Sequence, residues 1–366
     1  MMPSPMHADP SFWSSGIAAL EPYVPGEQPR IPGLVKLNTN EHPWPPSARV
    51  ADAIARAARE GLERYPDPES TALREALAAR LGLVASQVFV GNGSDEVLAH
   101  AFFAFFRRDE PLLFPDVTYS FYRVWAQLYG IAAETVPVDA GLRIDVAALA
   151  ARAAQGCGGL VVANPNAPTG LGLPLAAIER LLAAAPQRVL LVDEAYVDFG
   201  GESAVGLIAR HPNLLVVQTM SKSRSLAGLR VGFALGQAPL VEALNRVKNS
   251  FNSYPLDRLA QAGALASLED DDAFRRGCRE VMDTREGLVL QLEDLGFEVL
   301  PSQANFVFAR HRERDAGALA AALRERAVLV RHFRQPRIDG WLRISIGTRD
   351  QCSALAAALQ AILAAG

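Results

Sequence analysis

The chain has 366 residues, of which 50% are hydrophobic and 21% charged, which is typical of a globular protein with a large core and two subdomains. Its net charge is -4 and its isoelectric point is about 5.9, so no basic face for nucleic acid is indicated. Neither a signal peptide nor an apolar stretch long enough to span a bilayer is recognised. The three cysteines have no disulfide or zinc-site spacing, and we expect no metal. These features predict a cytoplasmic protein without a membrane or nucleic-acid partner.

The pattern of apolar residues divides the chain into three parts. Residues 1–46 are rich in proline and form an N-terminal arm. In residues 47–254, apolar β-branched runs alternate with helical stretches, which predicts an α/β domain whose mostly parallel sheet is covered on both faces. Residues 255–366 begin with two long helices and continue with three or four strands and a closing helix, which predicts a smaller α+β domain. Ligands of such open sheets bind at the carboxyl ends of the strands.

Lys222 is the most informative single residue. It follows the apolar run 214–218, a place from which an ammonium group is normally excluded. The hydroxyls of Thr219 and Ser221 lie beside it in the sequence, and Arg230 follows. A lysine so placed can act as an amine nucleophile in Schiff-base chemistry, and the hydroxyls and arginine can bind a phosphate dianion. Together these features indicate pyridoxal phosphate, although a surface lysine in a Ser/Arg loop explains this segment equally well.

A glycine-rich turn, Gly91-Asn-Gly-Ser-Asp-Glu96, joins a predicted strand to a predicted helix. Glycines allow close backbone approach, and N–H groups at a helix start can bind phosphate, so Gly93, Ser94 and Asp95 are candidate ligands. The last position is glutamate instead of glycine, which departs from the dinucleotide-binding fingerprint. A plain strand–helix turn capped by Ser94 is the alternative.

Two further strand ends carry candidate ligands. Tyr119 follows the next strand and can stack on a planar ring, although core packing explains it equally well when it is taken alone. The loop Asn164-Pro-Asn-Ala-Pro-Thr-Gly170 makes a rigid turn that can aim an asparagine amide at a ligand oxygen. We therefore include Asn164 and Asn166 among the candidates.

Asp193 ends the fully apolar run 189–192. A carboxylate at such a position needs a cationic partner, which a protonated pyridine ring supplies. Tyr196, three residues later, can donate to a phenolate oxygen. The same strand also resembles the Walker B strand of an ATPase, but the chain has no GxxxxGK[ST] motif, so a P-loop ATPase is not favoured.

Taken in chain order, these features resemble the fold-type I pyridoxal phosphate aminotransferases, and within them the histidinol-phosphate aminotransferase family. The resemblance runs from about Tyr23 to the last strand. It is carried by Leu37-Asn-Thr-Asn-Glu41, Arg64-Tyr-Pro66, the Gly-Ser-Asp turn, Asp193-Glu-Ala-Tyr196, Ser221-Lys222, Leu226-Ala-Gly-Leu-Arg230, Ala304-Asn-Phe306 and Leu342-Arg-Ile-Ser-Ile-Gly-Thr348. It implies a large domain with a seven-stranded, mostly parallel sheet, a small α+β C-terminal domain, bound pyridoxal 5'-phosphate and a homodimer with shared active sites.

The resemblance implies a role for each matching residue. Lys222 corresponds to the lysine that forms the Schiff base and moves the Cα proton, Asp193 to the partner of the pyridinium, and Tyr196 to the donor to the cofactor's 3-oxygen. The implied cofactor-binding residues are Gly93, Ser94, Asp95, Tyr119, Asn164, Asn166, Asp193, Tyr196, Thr219, Ser221, Lys222, Arg230 and, from the partner subunit, Tyr65. The implied substrate-binding residues are Tyr23, Asn40, Asn305, Arg331 and Arg343.

The chain departs from the family pattern at Ala167, where an asparagine that contacts the 3-oxygen usually precedes Pro-Thr-Gly. Either Asn164 or Asn166 takes over this contact, or Tyr196 makes it alone. We do not expect the reaction class to change, because the rest of the cofactor site is retained.

The implied reaction is transamination of L-histidinol phosphate with 2-oxoglutarate, giving imidazole acetol phosphate and glutamate, in histidine biosynthesis. Arg331 corresponds to the arginine for the substrate phosphate, whereas Arg334 and Arg337 are also consistent with a solvated basic loop. An aromatic amino acid aminotransferase is an alternative that His332 and Phe333 would suit. A decarboxylase of a phosphorylated amino acid and a cofactor-binding regulator are less favoured.

Overall fold

The computed structural model describes residues 12–365. The strands in this range are short, and most consist of β-branched and other apolar residues, as expected for a buried sheet. They are β1 (Val35–Lys36), β2 (Val88–Asn92), β3 (Leu112–Pro115), β4 (Ala133–Val136), β5 (Gly159–Ala163), β6 (Leu190–Asp193), β7 (Leu214–Thr219), β8 (Val231–Gly236), β9 (Phe297–Val299), β10 (Phe306–His311), β11 (Val328–Leu329), β12 (Arg331–His332) and β13 (Leu342–Ser345).

From β2 to β6 the α-helices alternate with the strands. Several helices of the described range begin at an aspartate or threonine side chain that accepts a backbone N–H bond. The α-helices are α1 (Ala48–Ala57), α2 (Thr71–Leu81), α3 (Gly93–Phe105), α4 (Phe121–Leu128), α5 (Val146–Ala154), α6 (Leu175–Ala184), α7 (Ala238–Phe251), α8 (Arg258–Leu268), α9 (Asp271–Asp294), α10 (Ala316–Glu325) and α11 (Arg349–Ala364).

The main sheet has seven strands in the order β2-β8-β7-β6-β5-β3-β4. The pairs from β7 through β4 are parallel, and β8 runs antiparallel to both of its neighbours. Apolar side chains from the two faces of this sheet form separate buried clusters, each closed by helices. The predicted α/β fold with a seven-stranded, mostly parallel sheet is confirmed.

A smaller antiparallel sheet, in the order β12-β13-β10-β9, forms a third core together with α9, α10 and α11. β1 pairs with β11 in parallel, so the N-terminal segment joins this C-terminal part. Residues 1–11 of the predicted arm lie outside the described range. The division at residues 1–46, 47–254 and 255–366 remains our proposal.

Three further findings concern the class of protein. In residues 12–365 no helix combines the length and the apolar character needed to cross a bilayer. Cys157, Cys278 and Cys352 are free and buried. Within the same range, His, Cys, Asp and Glu side chains form no group of three or more that could hold a metal ion.

Candidate active site

A cleft of about 330 Å³ opens at the carboxyl ends of β5, β6 and β7 and is closed on one side by β12 and β13. Three larger cavities among the described residues, of about 600, 760 and 620 Å³, lie elsewhere and contain none of the predicted catalytic residues. Most of the predicted site residues line the 330 Å³ cleft: Tyr23, Asn40, Ser94, Asp95, Tyr119, Asp193, Tyr196, Ser221, Lys222, Arg230, Arg331 and Arg343.

Asp193 lies at the carboxyl end of β6 and is only 5% exposed. Its Oδ2 accepts a hydrogen bond from the Tyr122 hydroxyl at 2.8 Å, and its Oδ1 accepts one from the Ala195 N–H at 3.2 Å. Both donors are neutral, and burial raises the pKa of the Asp193 carboxyl to about 6 in spite of them. A buried carboxylate with neutral hydrogen-bond partners fits a protonated ring nitrogen, which supplies positive charge.

A polar cradle is built around the start of α3. Gly93 has φ +79°, and a Cβ at this position would lie 2.4 Å from Arg230 Nη2, so only glycine lets the guanidinium approach the turn. Arg230 donates to the Asp95 carboxylate at 3.1 Å and to the Ser221 hydroxyl at 3.4 Å. The guanidinium, the hydroxyls of Ser94 and Ser221 and the N–H groups of the helix start suit a phosphate dianion.

Lys222 and Tyr196 face each other across the floor of the cleft. Lys222 Nζ donates to the Thr39 carbonyl at 3.4 Å and lies 5.7 Å from the centre of the Tyr196 ring. The Tyr196 hydroxyl accepts a hydrogen bond from the Asn40 side-chain amide at 3.1 Å. Tyr119 donates to Asp95 at 3.1 Å, and burial raises the pKa of its phenol well above the usual value. An amine and two phenol groups thus border the space between the cradle and Asp193.

Arg331 and Arg343 are cross-strand neighbours on β12 and β13. Arg343 donates from Nη2 to the Asn38 carbonyl at 3.0 Å, its Nε is buried without a partner in the described structure, and burial lowers its pKa. Arg331 donates to the Val24 carbonyl at 3.3 Å. Within residues 12–365 neither guanidinium forms an ion pair with a carboxylate. Their uncompensated charge makes this end of the cleft a site for anionic groups.

The family model described as aminotransferase class I and II matches residues 32–359 of the chain. The chain belongs to this family. The class and the predicted enzyme activity, transamination, are therefore confirmed.

Curated aminotransferases resemble this chain over almost its whole length. It is 59% identical over 352 residues to the histidinol-phosphate aminotransferase of Aromatoleum aromaticum, which covers 96% of this chain and 99% of that protein. It is 60% identical over 348 residues to histidinol-phosphate aminotransferase 1 of Pseudomonas aeruginosa, which covers 95% of this chain and 98% of that protein.

Solved structures share the fold of this aminotransferase. The crystal structure of histidinol-phosphate aminotransferase from Sinorhizobium meliloti in complex with pyridoxal-5'-phosphate has a TM-score of 0.83 and 26% identity, with 90% of each chain covered. A putative histidinol-phosphate aminotransferase from Erwinia carotovora atroseptica has a TM-score of 0.83 and 27% identity, with 90% of this chain and 96% of that chain covered. The predicted fold-type I architecture is thereby confirmed.

The structure does not place Asn164 and Asn166 in the cleft, contrary to our prediction. The Asn164 amide exchanges hydrogen bonds with the backbone of Leu173, at 2.7 and 3.3 Å. The Asn166 amide donates to the Val117 carbonyl and accepts from Thr118. Both side chains are buried and hold the proline-rich loop together. Neither therefore takes over the contact of the family asparagine.

Four other predicted residues also lie outside the lining of the cleft. The Thr219 hydroxyl bonds to Ser221 and supports the cradle from behind. Asn305 is fully buried and donates to the Asn40 carbonyl at 2.9 Å, so it holds a residue of the cleft instead of lining it. Tyr65 is 79% exposed and its ring stacks on Tyr254, with centroids 4.6 Å apart. Gly93 has no side chain to line the cleft, and its role is to let the Arg230 guanidinium lie close to the turn.

Sequence reasoning missed Tyr122, Asn38 and Thr39. Tyr122 is fully buried and holds Asp193, but in the sequence it is one aromatic residue of an amphipathic helix. Asn38 and Thr39 contribute backbone carbonyls to Arg343 and Lys222. Their only sequence signal was their place in the string Leu37–Glu41. Any residue type can supply a backbone carbonyl, so such a contact cannot be predicted from the residue type.

Proposed function

We propose that this aminotransferase converts L-histidinol phosphate and 2-oxoglutarate to imidazole acetol phosphate and glutamate, with pyridoxal 5'-phosphate as cofactor, in histidine biosynthesis. The observation that carries the substrate class is the Arg331–Arg343 pair, which offers two uncompensated guanidinium groups to an anion. The names of the relatives that are 59% and 60% identical support histidinol phosphate as the amino substrate. The free, buried cysteines suit the cytoplasm as location.

The polar groups of the cleft fit the cofactor. When bound, pyridoxal phosphate supplies a carbonyl for exchange with amines and a ring that accepts electrons. Arg230, Ser94 and Ser221 would hold its phosphate, and Asp193 would hold the proton of its ring nitrogen. Tyr119 would cover one face of the ring.

Lys222 is the group that moves protons in this proposal. Its Nζ takes the proton from the substrate Cα and returns it on the product side, as a general base and then a general acid. The Thr39 carbonyl, 3.4 Å away, keeps the amine at the floor of the cleft. Arg343 and Arg331 meanwhile hold the anionic part of the substrate, so that the Cα–H bond stays aimed at Lys222.

One anion site can serve both half-reactions. The guanidinium of Arg331 can pair with the phosphate of histidinol phosphate or with the distal carboxylate of glutamate, because each offers two oxygens to the planar fork of N–H donors. The centre of the Phe333 ring lies 5.6 Å from the Arg331 guanidinium and 5.5 Å from that of Arg343, so both cations also contact the face of one aromatic ring.

The test compares two arginines of the same segment. Arg331→Gln should raise KM for histidinol phosphate by about 10- to 100-fold, because a charge-assisted bidentate contact is lost. Arg334→Gln, three residues away on the exposed surface, should leave it unchanged. The half-reaction with phenylalanine, followed without 2-oxoglutarate, should change little in either variant. A larger loss with phenylalanine than with histidinol phosphate would favour an aromatic amino acid aminotransferase.

We further propose a homodimer with shared active sites. Tyr65 does not line the cleft of its own chain, and its exposed ring stacks on Tyr254. Leu62 and Phe251, which are close to these two residues in the sequence, are exposed apolar side chains as well. A second copy of the chain would cover this surface and receive Tyr65 at its phosphate cradle.

A mixing experiment tests the shared site. Tyr65→Ala and Lys222→Ala proteins, unfolded and refolded together, should form hybrid dimers in which one site has both native residues. The mixture should regain roughly a quarter of the wild-type activity, whereas each protein alone stays weak. A mixture no more active than the mean of its two components would contradict shared sites.

A further inference from the structure

Ala167 leaves the cleft without the asparagine that usually precedes Pro-Thr-Gly in this family. Its methyl group packs with Ala304 and Phe306 in a small apolar cluster against the Tyr196 ring. Asn164 and Asn166 are engaged within their own loop, as described above. The Tyr196 hydroxyl is therefore the group beside Ala167 that can donate to a ligand oxygen. It can do so only if its single proton points into the cleft and not towards Asn40.

That direction follows from counting donors and acceptors around Asn40. The backbone N–H of Asn40 donates to Ser345 Oγ at 2.8 Å, so the Ser345 hydroxyl proton has to go elsewhere. It goes to Asn40 Oδ1, also at 2.8 Å. This leaves the Asn40 Nδ2 amide to donate to the Tyr196 oxygen at 3.1 Å. With the amide reversed, the buried Ser345 proton would lose its acceptor, which is costly.

The Tyr196 oxygen therefore accepts from Asn40, and its own proton is free to point into the cleft. Asn40 is held rigidly for this task, because it is only 1% exposed and adopts φ +55°, a conformation that asparagine tolerates better than most residues. Its carbonyl accepts from the Asn305 amide at 2.9 Å. Asn305 and Ser345 both belong to the C-terminal part of the chain, so the orientation of Tyr196 is set from across the cleft.

We propose that Asn40, fixed by Ser345 and Asn305, is a positioning residue that directs the Tyr196 proton to the cofactor's 3-oxygen and so compensates for Ala167. This inference rests on the proposed cofactor. A proton donated to the 3-oxygen stabilises negative charge there and weakens the hold of that oxygen on a neighbouring proton. Loss of the donor should therefore make that neighbouring proton harder to remove. The visible absorbance band of the cofactor-loaded protein should then change at a higher pH, so the midpoint of its pH titration rises.

The experiment measures that midpoint in the cofactor-loaded protein and in four variants. Tyr196→Phe should raise it by about 1 to 2 pH units, the value of one hydrogen bond to a charged group. Asn40→Gly, which tolerates the left-handed conformation, should raise it by less because the hydroxyl is then free to rotate. The double variant should match Tyr196→Phe alone. Asn40→Asp, an isosteric acceptor, turns the proton away and should raise the midpoint at least as far as Tyr196→Phe.

A rescue variant completes the design. Ala167→Asn restores a second donor and should lower the midpoint again in the Asn40→Gly background. Additive shifts for Asn40→Gly and Tyr196→Phe, or an unchanged midpoint in Asn40→Gly, would overturn the inference while leaving the proposed cofactor intact. A wild-type protein that shows no visible band with added pyridoxal phosphate would overturn the proposed function and this inference together.

Discussion

Replacing Gly93 by alanine should weaken the binding of pyridoxal phosphate beyond any effect on the stability of the fold. A Cβ at this position would lie 2.4 Å from Arg230 Nη2 and 2.9 Å from Cζ, so the guanidinium has to move by about 1 Å to reach an ordinary contact. Arg230 then loses its place over the start of α3. One charge-assisted hydrogen bond to the phosphate is worth about 1.5 to 3 kcal/mol, so the affinity for pyridoxal phosphate should fall by about 10- to 100-fold.

Gly82→Ala is the matched control for this experiment. Gly82 has φ +69°, close to the +79° of Gly93, and a Cβ there meets no atom within 4 Å. Both variants should lose about 1 to 2 kcal/mol of unfolding free energy through the left-handed conformation, measured by urea unfolding of the cofactor-free proteins. Titration of those proteins with pyridoxal phosphate should show weakened binding for Gly93→Ala alone. Equal affinities in the two variants would refute the role of Gly93 in placing Arg230.

Two further predictions concern buried carboxyl groups. Burial raises the pKa of Glu194 to about 7, so its stabilising contribution is complete below its unfolded pKa and is lost as pH rises through 7. Urea unfolding gives the difference in unfolding free energy between the wild type and Glu194→Gln at each pH. This difference should move by about 3 kcal/mol against the wild type between pH 4 and pH 8. A difference that does not depend on pH would contradict the prediction. Tyr122→Phe removes the hydroxyl that donates to Asp193 at 2.8 Å, so the pKa of that carboxyl should rise by about 1 to 2 units above its value of about 6. The pKa is read from the pH dependence of the infrared carboxyl band, which Asp193→Asn assigns. An unchanged pH midpoint of this band would refute the contact.

The central strands were predictable because their residue types are dictated by burial on both faces. β5 and β6 are buried along their whole length, and their apolar runs are unambiguous. The apolar pattern does not reveal β4, because it is a partly exposed edge strand with a glutamate in its middle. The apolar pattern of α7 is weakened by Lys248, which is buried on the inner face of the helix and donates to the Pro68 carbonyl and to Glu69.

The site residues were predictable where burying that residue type at that position costs free energy unless it has a partner. A lysine and an aspartate at the ends of apolar strands need a chemical reason, so Lys222 and Asp193 stood out. Asn164 and Asn166 were misjudged because an asparagine in a tight loop serves the loop backbone as readily as a ligand. The contact of Asn40 with Tyr196 joins residues far apart in the chain, and a single sequence carries no signal for such a pair.

The most direct test of the proposed function is the visible absorbance of the purified, cofactor-loaded protein during titration with L-histidinol phosphate and, separately, with L-phenylalanine. The proposal predicts that the yellow band bleaches with histidinol phosphate at a far lower concentration than with phenylalanine, because only the former places a phosphate at Arg331 and Arg343. Bleaching that favours phenylalanine would contradict the assignment of histidinol phosphate as the substrate and indicate an aromatic amino acid aminotransferase.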